Sequence, residues 1–407
     1  MAMNHNILPD NLHNRLQNQL GNQFDSFLKA LAKPAPISIR LNPGKPSKRF
    51  YDAEHIPWCH YGRYLESRPS FTLDPLFHAG AYYVQEASSM FLAFMLTELF
   101  DLKQDIRILD LSAAPGGKTT LIQSLISENS LLVANEVISG RNKTLHQNLA
   151  RWGGDNHIIT QSDPKHFRKL PGFFDIILVD APCSGEGLIR KDSSATDHWS
   201  DQKVQMCGAR QKRILGDITH ALAPGGILIY STCTFSEIEN EANLRWLLEN
   251  PEFSPLPLSI PEQWGIKTVH ADLPGYRFYP HQLKGEGFFI GAVQKDHTSH
   301  DPGLKKNKVS PKHQPELANL EDKRWLISPE RYVFLNRGQH RIAFPKVLYD
   351  DYLQISQVLY TTYSGLNMGK VYHGELKPSP ELALNNSLGS VQQSIEFDKE
   401  TALNYLA

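Results

Sequence analysis

Five short apolar runs recur along the middle of the chain, and each ends in a polar residue. Ile106-Arg107-Ile108-Leu109 stops at Asp110, and Leu131 to Asn135 stops at Glu136. His157 to Thr160 is followed by Asp163. Phe174 to Val179 ends in Asp180-Ala181-Pro182-Cys183, and Ile227 to Tyr230 in Ser231-Thr232-Cys233-Thr234. Segments with helical spacing separate them: Lys118–Ser127, Ser139–Trp152, Lys203–Ala223 and Glu237–Leu248. Apolar strands alternating with amphipathic helices predict a mostly parallel, doubly wound α/β sheet. The polar residues then gather on the rim at the carboxyl ends of the strands, where such sheets bind ligands. Arg277–His281 and Phe288–Val293 read as a closing antiparallel hairpin.

The flanks follow other patterns. Leu12, Leu16, Leu20, Phe24, Leu28 and Leu31 recur near helical spacing until Pro34 and Pro36. Ile37–Leu41 alternates like a strand, and Gly80–Met90 is expected to be a helix leading into the central domain. Tyr61, Arg63 and Tyr64 either meet RNA or pack a small core. Asp296 to Asp322 reads as a polar linker with Pro302, Pro311 and Pro315. Its Lys305, Lys306, Lys308 and Lys312 are solvated or touch phosphate. Beyond it, Tyr332–Phe334 and Arg341–Phe344 are strand-like and Tyr352–Tyr360 is helical; Gly365–Leu384 reads as strand, turn and helix. The expected organisation is a small α+β region over 1–100, the central domain over 101–296, a linker over 297–323 and a small α+β module over 324–407.

A chain of 407 residues with net charge −1 has room for a large core and no global basic signature. Nucleic-acid contact must come from local groups; Lys165, Arg168, Lys169, Arg190, Lys191, Arg210, Lys212 and Arg213 are the candidates. Cys59, Cys183, Cys207 and Cys233 form neither close pairs nor C-x-x-C, which argues against a disulfide framework or a metal site. The polar N-terminus lacks a signal-peptide core, and no apolar run is long enough for a membrane helix. The expectation is a monomeric cytoplasmic protein with no membrane and no metal partner.

Between Asp110 and the helix expected from Lys118 lies Ser112-Ala113-Ala114-Pro115-Gly116-Gly117. Small residues let a ligand approach the backbone closely. Gly117-Lys118-Thr119 matches half a P-loop, but Ser112 stands where its first glycine belongs, and the dinucleotide fingerprint is absent. S-adenosylmethionine has no phosphates and asks for less: small residues beside its methionine part and an acid for its ribose. Glu136 stands where an acid takes ribose hydroxyls. Asp163 is placed for the adenine amino group; capping a helix is the alternative for either acid. Lys118 anchors the loop, the cofactor carboxylate or the substrate.

Buried cysteines are usually inert packing, which suits Cys59 and Cys207. Cys183 and Cys233 instead end adjacent strands on the ligand rim. A thiol reaction that pairs with a non-phosphate cofactor is methylation of a pyrimidine at carbon 5, a weak nucleophile until a thiolate adds at carbon 6. An acid at N3 assists that addition, and Asp180 stands beside Cys183. Capping the following turn is its bland role. The chemistry alone does not rank the two cysteines.

DLSAAPGGKT (Asp110–Thr119), DAPCSGEG (Asp180–Gly187), STCTF (Ser231–Phe235) and RFYPHQLKGEGFF (Arg277–Phe289) resemble the motifs of the NOP/Sun family of RNA cytosine-C5 methyltransferases. ISIRLNP (Ile37–Pro43) and AYYVQEASSM (Ala81–Met90) resemble that family's N-terminal signatures. The resemblance runs from about residue 10 to 295 and implies a Rossmann-like class I methyltransferase sheet. It implies S-adenosylmethionine held by Ser112, Ala113, Ala114, Pro115, Gly116, Gly117, Lys118, Glu136, Asp163 and Asp180. It also implies Cys233 as nucleophile, Cys183 in product release and Asp180 at N3. GLNMGKVYHGELKPSPELAL resembles a bacterial subfamily that modifies small-subunit ribosomal RNA. In that group a helix like Asp398–Leu406 leads into further strands of an RNA-binding fold, so a shortened module is expected here. The RNA partner is expected to be 16S rRNA of the small subunit or its assembly intermediate, with tRNA as the main alternative. The rivals of other classes are a non-catalytic RNA-binding assembly factor and a P-loop NTPase.

Overall fold

The computed structural model describes residues 8–270, 272–298, 316–317, 321–373, 375–390 and 394–406. The N-terminal leucine pattern forms two helices, α1 (Asp10–Leu20) and α2 (Phe24–Leu31), instead of one. Gly21, at φ 54, turns the chain between them. Their buried face (Leu12, Leu16, Leu20, Phe24, Phe27) packs on Trp199, Phe235 and Tyr279 of the central domain. Burying each such side chain contributes roughly 1.5–3 kcal/mol, so the N-terminal helices are clamped onto the rim side of the sheet.

Next come β1 (Ile37–Leu41), β2 (His55–Ile56), β3 (Cys59–Leu65), the short α3 (Pro75–His78) and β4 (Tyr82–Val84). The strands form an antiparallel sheet ordered β2-β3-β1-β4. The helix expected over Gly80–Met90 is therefore not formed. Tyr82, Tyr83 and Val84 are aromatic and β-branched, and they pair with Leu41, Arg40 and Ile39. The helix, α4, starts only at Phe91 and runs to Leu99. Arg63 and Tyr64 are buried, and the Arg63 guanidinium donates to the carbonyls of Tyr51, His60 and Gly62. Tyr64 packs with Trp58 and Met90 against the central domain, so the RNA-stacking alternative does not hold for these two.

The central elements are β5 (Arg107–Asp110), α5 (Gly117–Gln123), β6 (Leu131–Asn135), α6 (Ser139–Trp152), β7 (His157–Thr160), β8 (Phe174–Asp180), α7 (Asp201–Ile218), β9 (Leu222–Thr232) and α8 (Glu241–Leu248). They continue with β10 (Phe253–Pro255), β11 (Lys267–His270), β12 (Leu273–Phe278) and β13 (Phe288–Lys295). The sheet order is β11-β12-β13-β9-β8-β5-β6-β7, with β5 to β9 parallel and β13 antiparallel to β9. Successive residues alternate between two cores. Leu109, Val133, Ile177 and Tyr230 face Leu215, Ile218 and Leu244. Ile108, Leu132, Ile176 and Ile229 face Leu92, Leu96 and Leu121. Burial on both faces explains why these strands read as near-continuous apolar runs. The register, Asp110 beside Leu178 and Asp180 beside Ser231, brings the strand ends onto one rim.

The C-terminal part holds β14 (Glu316–Leu317), β15 (Tyr332–Arg337), β16 (His340–Pro345), α9 (Tyr349–Val358), β17 (Thr361–Ser364), β18 (Leu366–Tyr372), β19 (Glu375–Pro378), α10 (Pro380–Leu384) and α11 (Lys399–Leu406). Its sheet is ordered β14-β15-β16-β18-β19. Gly365–Leu384 is a hairpin followed by a helix, one strand more than expected. β17 leaves this sheet and pairs antiparallel with β7, covering the open edge of the central sheet. Ile342, Phe344, Ile355 and Leu359 share the central core, so the module is packed onto the sheet. The linker lysines 305, 306, 308 and 312 lie outside the described residues.

Candidate active site

The loop after β5 turns at Gly116, whose φ of 111 suits glycine, and α5 opens at Gly117. That helix ends at Gln123, short of Ser127. A Cβ on Gly117 would stand 3.5 Å from the Tyr83 ring and 3.7 Å from the Gln85 amide carbon. The missing side chain thus leaves space in a cavity of about 210 Å³. Ser112, Ala113, Ala114, Pro115, Gly117, Lys118, Asp110 and Asp180 form one wall, and Tyr83–Glu86 with Ser89 form the other. Gly116 shapes the turn but does not line the cavity.

The two walls are joined by Arg40, a fully buried side chain that sequence reasoning overlooked. Its guanidinium donates to Gln85 Oε1 at 2.9 Å, Thr120 Oγ1 at 2.6 Å and the Gly117 carbonyl at 3.3 Å. It also lies 4.3 Å from the Trp152 ring centre. Burial lowers its pKa to about 10, which leaves it charged at neutral pH. An arginine inside the alternating strand ISIRL was the available signal, since its position falls among buried residues.

Asp110 is buried beneath the loop. Thr119 donates to its Oδ2 at 2.7 Å, while Oδ1 has no hydrogen-bond partner. Burial raises its pKa to about 7, partly offset by the Thr119 bond. Glu136, at the end of β6, accepts the Ile138 N–H at 2.9 Å. Its Oε2 is buried without a hydrogen bond, although Arg141 approaches to 3.3 Å in an unfavourable geometry. Arg141 also donates to the Ala114 carbonyl at 2.7 Å, tying Glu136 to the loop. Asp163 caps the turn Pro164–Lys169 by accepting the Lys165 N–H at 3.1 Å. It does not line the cavity, and its capping role is realised.

Lys118 and Asp180 meet at 2.8 Å, and Ser231 donates to the other Asp180 oxygen at 2.7 Å. Burial pulls the Lys118 pKa down, but Asp180, helped by Asp110 and the nearby Cys233, outweighs it and leaves the ammonium above its ordinary value. The sulfurs of Cys183 and Cys233 are 3.1 Å apart. The hydrogen bond with Cys233, reinforced by burial, raises the Cys183 thiol well above its ordinary pKa. Both cysteines are partly exposed, whereas Cys59 and Cys207 are buried as expected.

The loops carrying the sulfurs are braced from behind. Ser184 gives Glu239 its N–H at 2.8 Å and its hydroxyl at 2.5 Å, and Gln211 joins Glu239 to the Pro182 carbonyl. Glu186 accepts from Trp199, from the Phe235 N–H and from Arg15 of α1. The Gly187 N–H donates to the Cys233 carbonyl at 2.8 Å. Neither Glu186 nor Glu239 was singled out from sequence, because an acid inside a loop motif carries no periodic signal. Of the basic candidates, Lys165, Arg168, Lys169, Lys191, Arg210, Lys212 and Arg213 are exposed. Arg190 is not: its side chain is 7% exposed and bonds the carbonyls of Lys33, Pro34 and Gly285. Packing against the N-terminal segment removes it from the surface.

Among the described residues no cluster of His, Cys, Asp and Glu could hold a metal ion, and no helix is long and apolar enough to cross a membrane. The family model for 16S rRNA methyltransferase RsmB/F matches residues 97–294. The model for the N-terminal domain of 16S rRNA methyltransferase RsmF matches residues 8–87. The ribosomal RNA small subunit methyltransferase F of Aeromonas salmonicida is 33% identical over 408 residues, covering 94% of this chain and 84% of that protein. Its counterpart in an Escherichia coli strain is 38% identical over 292 residues, covering 67% of this chain and 60% of that protein. Among solved structures, a methyltransferase homolog from Pyrococcus horikoshii has a TM-score of 0.61 at 31% identity, covering 71% of this chain and 96% of its own. NSun6 from the same organism, solved with SFG, shares the fold at TM-score 0.61 and 21% identity, covering 71% of this chain and 98% of its own. The chain belongs to the ribosomal RNA small subunit methyltransferase F family.

Proposed function

We propose that this protein methylates carbon 5 of a cytosine in 16S rRNA, using S-adenosylmethionine and a covalent Cys233 adduct. The observation that carries this reading is the pair of rim thiols 3.1 Å apart, standing beside the Lys118–Asp180 ion pair. Packing needs no such pair at a ligand rim, whereas bond making and bond breaking at one pyrimidine need two groups at one carbon pair.

S-adenosylmethionine fits the residues present. The Gly117 side of the cavity offers room against Tyr83, and two buried acid oxygens, Asp110 Oδ1 and Glu136 Oε2, lack hydrogen-bond partners. Glu136 would take the ribose hydroxyls, Ser112–Lys118 the methionine part, and Asp110 its ammonium. Asp163, engaged as a cap, would reach the adenine only by sharing its carboxylate. When bound, the cofactor supplies an electrophilic methyl group.

The chain's own residues do the rest. Cys233 gives its proton to solvent and its sulfur bonds to carbon 6 of the cytosine, moving an electron pair toward carbon 5. As the addition places charge on the ring, N3 takes up a proton from solvent and donates it in a hydrogen bond to the Asp180 carboxylate, which Lys118 holds in place. After methylation, Cys183 releases its own proton to solvent and as the thiolate takes the carbon-5 proton; the carbon 6–sulfur bond then breaks and returns the electron pair to Cys233. The raised pKa of Cys183 makes its thiolate, once formed, a strong base for that proton. The base must leave its stack to reach this rim. The module over 324–407 is proposed to help hold the RNA.

The cysteine assignment is tested with purified variants and small-subunit rRNA. Cys233→Ala should abolish turnover and give no covalent complex. Cys183→Ala should accumulate a denaturation-resistant protein–RNA adduct. An adduct with Cys233→Ala and none with Cys183→Ala would reverse the roles; none with either would remove covalent catalysis.

A further inference from the structure

Past Glu136 the rim continues to a second and larger cavity, about 410 Å³, between α6, the end of β7 and the C-terminal module. It is tied to the first site through backbone. The Asn142 amide donates to the carbonyls of Glu136 and Thr160 and accepts the Thr362 hydroxyl at 2.9 Å. Gln161 donates to the Val137 carbonyl at 3.2 Å, next to Glu136.

The lining has the chemistry of a polyanion site. Lys143 and Arg337 are exposed cations, and Arg337 is held at the edge by a 2.7 Å bond to the Thr361 carbonyl. The one carboxylate lining the cavity among the described residues, Glu381, is already engaged by His146 at 3.3 Å and Asn367 at 3.1 Å. The remaining charge is therefore positive. Tyr360 is 67% exposed, yet its backbone is fixed to the end of β7 by bonds from Gln161 N–H to its carbonyl and from its N–H to Ser162 Oγ. A rigidly mounted, exposed aromatic ring beside two cations is the arrangement that holds single-stranded nucleic acid: the ring stacks on a base, and the cations take phosphates. A gap left by imperfect domain packing would not concentrate these groups.

We infer that this cleft seats an unpaired stretch of the RNA substrate, one base on Tyr360 and adjoining phosphates on Lys143 and Arg337. The inference rests on the reading of the chain as an RNA methyltransferase. It adds a binding subsite on the far side of the cofactor acid from the two cysteines.

The experiment uses the full chain, deproteinised 16S rRNA, filter binding and transfer of labelled methyl groups. Tyr360→Ala should weaken RNA binding about tenfold, and Tyr360→Phe should restore it to within about twofold, because stacking needs the ring and not the hydroxyl. Lys143→Glu combined with Arg337→Glu should weaken binding at least about tenfold and flatten the slope of log affinity against log salt by about 1 per lost phosphate contact. In each case KM for RNA rises while kcat and S-adenosylmethionine affinity stay near wild type. The charge-reversal variant, altered only at exposed positions, carries the test if Tyr360→Ala lowers the melting temperature. Wild-type affinity and salt slope in the charge-reversal variant would overturn the inference. So would a folded Tyr360→Ala protein that binds normally. A wild-type chain that methylates no RNA would instead overturn the proposed function.

Discussion

Replacing Arg40 with methionine removes a charge and five donors while nearly conserving volume. The gross interaction is large: two good hydrogen bonds from a charged donor, to Thr120 Oγ1 at 2.6 Å and Gln85 Oε1 at 2.9 Å, contribute about 1.5–3 kcal/mol each. Burial opposes them. Burial lowers the pKa to about 10, which corresponds to about 3 kcal/mol against the charged form. The guanidinium itself is thus near break-even. Methionine, however, leaves the Gln85 oxygen unpaired in a buried place, at about 1–3 kcal/mol, while the Gly117 carbonyl keeps the Thr120 hydroxyl. The net loss is on the order of 2 kcal/mol, readable as a lower urea midpoint. The functional consequence is larger than the stability loss implies, because Gln85 and Gly117 form opposite walls of the cavity proposed for the cofactor. With the strut gone, S-adenosylmethionine affinity measured by calorimetry should fall about tenfold or more. Arg40→Lys keeps the charge but not the fork and should lie between. Wild-type affinity and midpoint in Arg40→Met would refute the idea that this strut shapes the site.

Two further outcomes follow from the same geometry. Asp110, held at about 7 against an ordinary 3.8, keeps a proton in the folded state that the unfolded chain has released. Stability therefore falls as pH rises through that window. Asp110→Asn removes the effect, so urea melts at pH 5 and pH 8 should show the variant gaining on the wild type by roughly 2–3 kcal/mol; parallel pH profiles would contradict it. Gly187→Ala would put a Cβ 2.2 Å from the Gly287 carbonyl oxygen and 2.9 Å from that of Cys233. Backbone must move there, at roughly 1–3 kcal/mol or more. The melting temperature should drop, and methyl transfer should drop further because the Cys233 loop is displaced.

The central sheet was legible because its strands are buried on both faces and the helices between them carry a regular stripe. Leu131–Asn135 and Ser139–Trp152 were read to the residue. The candidate site was legible where chemistry is written into residue type at strand ends: Asp180, Cys183 and Cys233 meet on one rim, whereas Asp110 was noted only as the end of a strand. Three kinds of feature were not. Tyr82–Val84 looked helical because its small flanking residues hid a three-residue strand that forms only by pairing with Ile39–Leu41. Arg40 was passed over and Arg190 was read as a cation for the RNA backbone, since burial of a charge depends on partners from distant segments such as Gln85 and Pro34. β17 pairs with β7, a strand some two hundred residues earlier in the chain, a pairing that local propensity does not encode.

The most direct test of the account is bisulfite sequencing of 16S rRNA from cells with and without this protein. The account predicts one cytosine that resists conversion only when the chain is present and that converts when Cys233 is replaced by alanine. Full conversion of every 16S cytosine in both strains, with the protein expressed, would contradict it.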